Sequence, residues 1–259
     1  MASNKAPVKI AFVASKRPEA QAALHEMHAA YGNKDENDAD IIVALGGDGL
    51  MLETLRRQMN NGKPVFGLNR GTIGFLMNEY SQIDLIERLQ SAKPTIIHPL
   101  KMQTVDINGI SQTEYAVNEV SLLRQTHQTA HLAIEIDSKS QIEEMICDGI
   151  ILSTAAGSTA YNLSAHGPII PIGTGLLALT PISAFRPRRW RGALLRDSSV
   201  VKIRVIEPKH RPVAASADNH EVRDIVEINM SLDNSKSMTI LFDYDRSLDD
   251  RILTEQFTT

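Results

Sequence analysis

The chain has 259 residues, of which 42% are hydrophobic and 22% charged, with a formal net charge of -4. That length supports one large or two modest domains with real cores, and the composition argues against wholesale disorder. No broad basic field exists to hold a nucleic-acid backbone, which disfavours nucleic acid as a partner, although a polyanionic cofactor needs only a few local donors.

Val8 to Val13 is a short apolar run that reads as a buried strand. Pro18 to Tyr31 places Ala20, Ala23, Leu24, Met27 and Tyr31 at helical spacing, with Gly32 as a stop. Ile41 to Leu45 is a continuous apolar run of the kind found in a parallel strand covered on both faces. A glycine loop follows, then a helix over Leu50 to Asn60, a strand over Val65 to Leu68 and a helix over Ile83 to Leu89. This alternation predicts an α/β domain with a parallel sheet, residues 1–97. From Leu100 the pattern changes to strands joined by turns, including Thr104 to Ile107 before Asn108-Gly109. Alternation at Leu132, Ile134 and Ile136, and at Val201, Ile203 and Val205, predicts a β-rich domain over residues 98–242, interrupted by one helix near Ser158 to Ala165. Val226 to Met230 and Met238 to Phe242 read as a pair of strands joined by a turn at Asp233-Asn234. Residues 243–259 form a C-terminal segment that could pack back on the first domain.

One cysteine, Cys147, rules out an internal disulfide and fits a reducing compartment. Met1 to Pro7 lacks the apolar core of a signal peptide, and no apolar run approaches the length of a bilayer span. The expectation is a cytoplasmic protein with no membrane partner.

Gly46-Gly47-Asp48-Gly49 sits between a buried strand and a helix. Glycine lets backbone N–H groups approach a ligand closely, and the start of a helix favours phosphate. Asp48 is placed to accept a proton from a hydroxyl or to meet a magnesium ion. A tight turn with a helix-capping Asp is the plain alternative, and the two leading glycines after a buried strand favour the site. The chain has neither a Gly-x-x-x-x-Gly-Lys-Ser/Thr loop nor a Gly-x-Gly-x-x-Gly fingerprint, so a dinucleotide would bind here in some other way.

Asn118-Glu119 pairs an amide with a carboxylate, which can grip a ribose or an amide-bearing ring through complementary donors and acceptors. By itself the pair reads rather as a turn or strand end. Asp148 to Pro168 carries a strand, a loop of small residues and a short helix. Small residues leave room for a flat ring, Ser158 or Thr159 can cap the helix or bond a base edge, and Tyr161 can stack on a base. Capping and close helix packing would explain the same residues. Phe75, in Gly71 to Phe75, could lie against a ring or in the core, and Asp218-Asn219-His220 reads as a turn between strands. Arg186 to Arg191 is the one basic run; Cys147 reads as structural, and the histidines show no metal-ligand spacing.

Taken together, Gly46-Gly47-Asp48-Gly49, Asn118-Glu119 and Asp148-Gly149 followed by Thr154-x-x-Gly157-Ser158-Thr159-Ala160-Tyr161 resemble the NAD kinase family, from about residue 8 to 245. The resemblance implies an α/β domain and a β-rich domain with the active site in the cleft between them, and a homodimer or homotetramer. It implies phosphorylation of the adenosine 2′-hydroxyl of NAD to give NADP, from ATP or polyphosphate, with Mg2+ or another divalent cation. Asp48 would be the general base, and Gly46, Gly47 and Gly49 would hold the donor phosphates. Asp48, Gly49, Phe75, Asn118, Glu119, Asp148, Ala156, Ser158, Thr159, Ala160, Tyr161, Asn162, Leu163, Ser164, Asp218 and Asn219 would bind NAD. No fixed cluster of protein metal ligands is recognised. Two positions depart from the family. Leu50 stands where many relatives carry Thr, and Ile146 stands where many carry a basic residue near the added phosphate. The Arg186 to Arg191 run could substitute there or belong to an oligomer interface. A lipid kinase would share the glycine loop but needs a membrane-facing segment that is missing here; a non-catalytic NAD(P) sensor would keep the pocket without turnover.

Overall fold

The computed structural model describes residues 8–71, 74–245 and 247–257. It divides into two compact units: residues to Ile97 together with Lys236–Arg251, and His98–Ser235 with the segment from Ile252.

The first unit is built on a five-stranded sheet of order β1-β2-β3-β17-β4. Strands β1 (Ile10–Ala14), β2 (Ile41–Gly46), β3 (Val65–Asn69) and β17 (Met238–Phe242) run parallel, and β4 (Lys93–Ile97) pairs antiparallel with β17. Helix α1 (Pro18–Tyr31) buries Ala20, Ala23 and Met27 and stops at Gly32, whose φ of 71° few side chains tolerate. Helix α2 (Asp48–Gln58) starts directly after β2, so the glycine loop lies at the carboxyl ends of the parallel strands. Helix α3 (Leu85–Ser91) anchors Leu85 and Leu89.

The second unit is a β-sandwich. One six-stranded sheet has the order β12 (Ala193–Arg196), β11 (Leu176–Ile182), β10, β7, β14, β15, and the other β6, β5, β16, β13 (Val201–Val205), β8 (Ala130–Ile136), β9. The strands that carry the site are β7 (Glu119–Arg124), β9 (Lys139–Cys147), β10 (Gly149–Ser153), β14 (Val213–Ala217) and β15 (His220–Val222). The inner faces of both sheets share one core, including Leu122, Ile150, Leu152, Leu177 and Val213 from one and Met102, Ile134, Ile203, Ile228 and Met230 from the other. The Asn108-Gly109 turn joins β5 (Leu100–Asp106) to β6 (Ser111–Ala116), with Gly109 at φ 80° and Asp106 Oδ1 accepting the N–H groups of Asn108 and Ile110.

Three expectations change. Met238 to Phe242 does not pair back with the preceding strand; it enters the first sheet between β3 and β4. Met238, Ile240, Leu241 and Phe242 are all buried, which suits a strand covered on both faces and not a half-exposed hairpin arm. In β16 (Ile225–Leu232) a bulge between Ile225 and Glu227 shifts the register, so Ile225 and not Val226 joins Ile228 and Met230 inside. The single helix expected near Ser158 to Ala165 is a 3-10 turn, Ala156–Thr159, then one turn of α-helix, α4 (Tyr161–Ser164), broken at Ala160.

Candidate active site

Asp48 opens α2 one residue past the N-cap, which is Gly47. The Asp48 carboxylate accepts the backbone N–H of Phe75 at 2.7 Å and that of Leu76 at 3.0 Å. Gly74 makes this approach possible, because a Cβ there would lie 2.9 Å from Asp48 Oδ1. Burial pushes the Asp48 carboxyl above its ordinary value, opposed by the two N–H donors and by the charge of Arg251. Phe75 therefore contributes through its backbone. Thr72 and Ile73, in the same loop, lie outside the described residues.

Two residues that no local motif marks hold this loop. Arg251, in helix α5 (Leu248–Glu255), donates to the carbonyls of Phe75 at 3.0 Å and of Met77, and reaches Asn78 Oδ1 at 3.3 Å. Asn78 is fully buried and donates to Leu241 O at 3.0 Å. Beside Asp48, a Cβ on Gly47 or Gly49 would meet nothing within 4 Å, so a ligand can come up against the bare backbone. A cavity of about 730 Å³ opens next to this loop, between Val13 to Lys16 at the end of β1, Glu36, and the Leu50, Glu53 and Arg57 face of α2.

In the second unit, Asn118 and Glu119 lie at the start of β7. Thr154 Oγ1 donates to the carbonyls of Val117 at 2.9 Å and Asn118 at 3.1 Å, and Thr154 N–H donates to Asn118 O at 2.9 Å. Gly157 packs so close that a Cβ there would stand 2.2 Å from Asn118 O. Asp218, in the turn from β14 to β15, accepts the N–H groups of Val117, Asn118 and Glu119 at 2.7, 2.9 and 3.3 Å. Its neighbour Asn219 is exposed. The Glu119 carboxyl is pushed up to about 8, first by burial and then by the charge of Asp218.

Asp148 is partly exposed and paired with Arg124 at 2.6 Å. Tyr161 is 37% exposed, with its hydroxyl pushed above the ordinary phenol range by burial, then by Glu119 and Asp148. Ser158 and Asn162 are fully buried and occupied within the loop. Ser158 Oγ donates to Ala155 O at 2.7 Å and accepts from Ile170 N–H at 2.9 Å. Asn162 bonds Ser158 O, Pro168 O and Thr180. Ala156 is buried; Thr159, Ala160 and Leu163 are half-buried; Ser164 is exposed. The structure thus gathers Asn118, Glu119, Asp218 and the 154–157 turn by direct contact, and brings Asp148 and Tyr161 near enough for their charges to be felt.

Ile146 is the cross-strand partner of Arg186: Ile146 N–H donates to Arg186 O at 2.9 Å and Arg186 N–H to Ile146 O at 3.1 Å. The exposed basic run therefore starts beside the position that lacks a basic residue. Cys147 is buried, with its thiol pushed up to about 12, as an unreactive core thiol should be. Among the described residues no helix is long and apolar enough to cross a membrane, and no group of three or more His, Cys, Asp or Glu gathers to hold a metal ion.

Residues 3–91 match the family model of the ATP-NAD kinase N-terminal domain, and residues 117–239 that of the ATP-NAD kinase C-terminal domain. The chain is 55% identical to the NAD kinase of Hyphomonas neptunium over 97% of this chain and 98% of the relative. It is also 55% identical to that of Caulobacter vibrioides, over 96% of each. Yeast NADH kinase, solved in complex with NADH, shares the fold with a TM-score of 0.83 at 22% identity, covering 98% of this chain and 88% of that one. An NAD kinase from Archaeoglobus fulgidus, solved in complex with ATP, does so at 0.75 and 21%, covering 95% and 98%. By sequence along nearly its whole length, and by fold, the chain belongs to the NAD kinase family.

Proposed function

We propose that this chain makes NADP by moving the terminal phosphate of ATP onto the adenosine 2′-hydroxyl of NAD, with Asp48 as the general base. The kinase reaction comes with family membership; the residue roles rest on geometry. One observation carries them: the Asp48 carboxylate is desolvated yet fixed by two backbone N–H groups, beside a helix start whose glycines leave open space. A carboxylate so placed is aimed, poorly hydrated and ready to take a proton as the hydroxyl attacks. In-line phosphoryl transfer needs little beyond such positioning and charge stabilisation.

The free N–H groups at the start of α2 would receive the donor phosphates, and the cavity between β1 and α2 has room for the rest of the donor. Asn118, Glu119, Asp148 and Tyr161 would hold NAD, with Ala156, Thr159 and Ala160 giving it a smooth wall. Ser158, Asn162 and Asp218 would act by shaping that wall. A divalent cation, such as Mg2+, fits this donor set only in company: with Asp48 the one carboxylate at the glycine loop, phosphate oxygens and water would supply most of its ligands. When bound it would offset charge on the donor phosphates. Polyphosphate as an alternative donor, a cytoplasmic setting and a homodimer or homotetramer belong to the same reading. The test is NADP formation from NAD, ATP and magnesium by the wild type and by Asp48→Asn. NADP from both alike would remove Asp48 from its role; NADP from neither would favour a binding protein without turnover.

A further inference from the structure

The backbone of Val117 to Glu119 is fixed from two sides, by Thr154 and Gly157 on one and by Asp218 on the other. Its side chains are not satisfied in the same way. Asn118 Oδ1 and Glu119 Oε2 are buried atoms with no hydrogen-bond partner among the described residues. The titratable groups that face Glu119 are Asp218, from the β14–β15 turn, and Tyr161, from α4, with Asp148 beyond Tyr161. Neither Asp218 nor Tyr161 can carry positive charge. The two oxygens of Asp218 accept three N–H bonds, an arrangement that suits a charged carboxylate. A second carboxylate next to it, with one oxygen buried and given no donor among the described residues, is favoured in its neutral form.

We infer that Glu119 grips the dinucleotide as a neutral carboxylic acid, donating its proton to an acceptor on the ligand, and that Asp218 is the positioning residue that keeps it in that state. This rests on the NAD-binding role proposed above. A protonated Glu119 offers a donor on one carboxyl oxygen and an acceptor on the other. That pair matches a ligand group that also presents both, such as a ribose hydroxyl or a carboxamide. An ionised Glu119 would offer acceptors only, so a ligand oxygen that takes its proton would lose that donor. The upward shift of its carboxyl to about 8 agrees with the geometry.

The experiment is NAD binding by calorimetry, without donor, from pH 6 to 10, for the full chain, Glu119→Gln and Asp218→Asn. Wild-type affinity should hold to about pH 8 and then fall about tenfold per pH unit as Glu119 ionises. Glu119→Gln stays neutral and should show no such fall. In Asp218→Asn the fall should begin at lower pH, because the neighbouring charge is gone; a merely structural role would weaken binding at every pH without moving it. A wild-type profile that stays flat, or a Gln variant that falls in parallel, would overturn the inference. No NAD binding by the wild type at any pH would instead overturn the kinase reading. Melting curves give a check that needs no ligand. A carboxyl raised from 4.5 to about 8 leaves the folded chain with the extra proton between those values. Wild-type stability relative to Glu119→Gln should therefore be lost as pH rises through that window and level off above it. A pH-independent difference between the two would count against a neutral Glu119.

Discussion

Replacing Asp48 by Asn separates the chemistry from the scaffold. Asn keeps one acceptor oxygen and turns an NH2 toward the other of the Phe75 and Leu76 N–H groups, now 2.7 and 3.0 Å from the carboxylate. A buried N–H left without a partner costs about 1–3 kcal/mol. Against this, burial already penalises the Asp48 charge, so its removal returns part of that cost. The net loss should be about 1 kcal/mol, or roughly 2–4 °C of melting temperature for a chain of this size. Loss of a general base costs about 10²–10⁴ in kcat. At 1.36 kcal/mol per tenfold, that is about 3–5 kcal/mol of barrier, several times the structural effect. The pH profile adds a sign. Only the ionised base accepts a proton, and its folded pKa is raised, so wild-type kcat should climb as pH rises through that raised value, while the variant has no such limb. A coupled assay reading NADP, beside a melting curve, measures both. The reasoning fails if Asp48→Asn keeps kcat within about tenfold of the wild type, short of general-base effects. It fails equally if the fold collapses along with the activity.

Two glycines should part company. Gly49→Ala meets nothing within 4 Å and improves helix propensity by up to about 1 kcal/mol, so the protein should melt higher while KM for ATP rises. Gly74→Ala drives a Cβ to 2.9 Å from both Asp48 Oδ1 and Met77 Cγ and should lower kcat and melting temperature together. Arg251→Ala frees the carbonyls of Phe75 and Met77 and removes a charge that lowers the Asp48 carboxyl. Its kcat limb should move to higher pH, with part of the loss recovered above it; an unmoved limb would show that Arg251 acts only on stability. Arg186→Ala removes a guanidinium from the strand partner of Ile146. If it meets the 2′-phosphate, NADP inhibition should weaken about tenfold or more, the worth of one hydrogen bond to a charged group, with KM for NAD unchanged. Equal weakening of both would place it elsewhere.

Much of this arrangement was readable from local pattern. The first three strands, the Pro18 to Tyr31 helix and the glycine loop declare themselves within windows of a few residues, because apolar period and turn chemistry act at short range. What was not readable lies in contacts made across the chain. Nothing near Met238 to Phe242 says that it returns to the first sheet, because the strands that receive it lie in the first hundred residues. Arg251 and Asn78 carry no motif and matter only through what folding sets beside them. Asp218 reads as part of a solvated turn between strands, yet its carboxylate points inward to the Asn118-Glu119 backbone.

The acids of the two units show why residue type was not enough. Asp48 receives two N–H donors from residues 27 and 28 positions away, and Asp218 receives three from 99 to 101 positions away. Glu119 Oε2 receives none among the described residues. Donors to a carboxylate favour its charge, burial without donors favours its proton, and the contest between the two assigns each acid its work. Asp218 with three is fixed against the backbone of its neighbours. On the reading proposed above, Glu119, whose buried oxygen has none, donates to the ligand. Asp48 lies between them, desolvated but supported, and that intermediate state is what a base needs if it is to hold a proton briefly and give it up. The sequence shows three acids; the backbone groups that differentiate them come from chain segments that only the fold brings together.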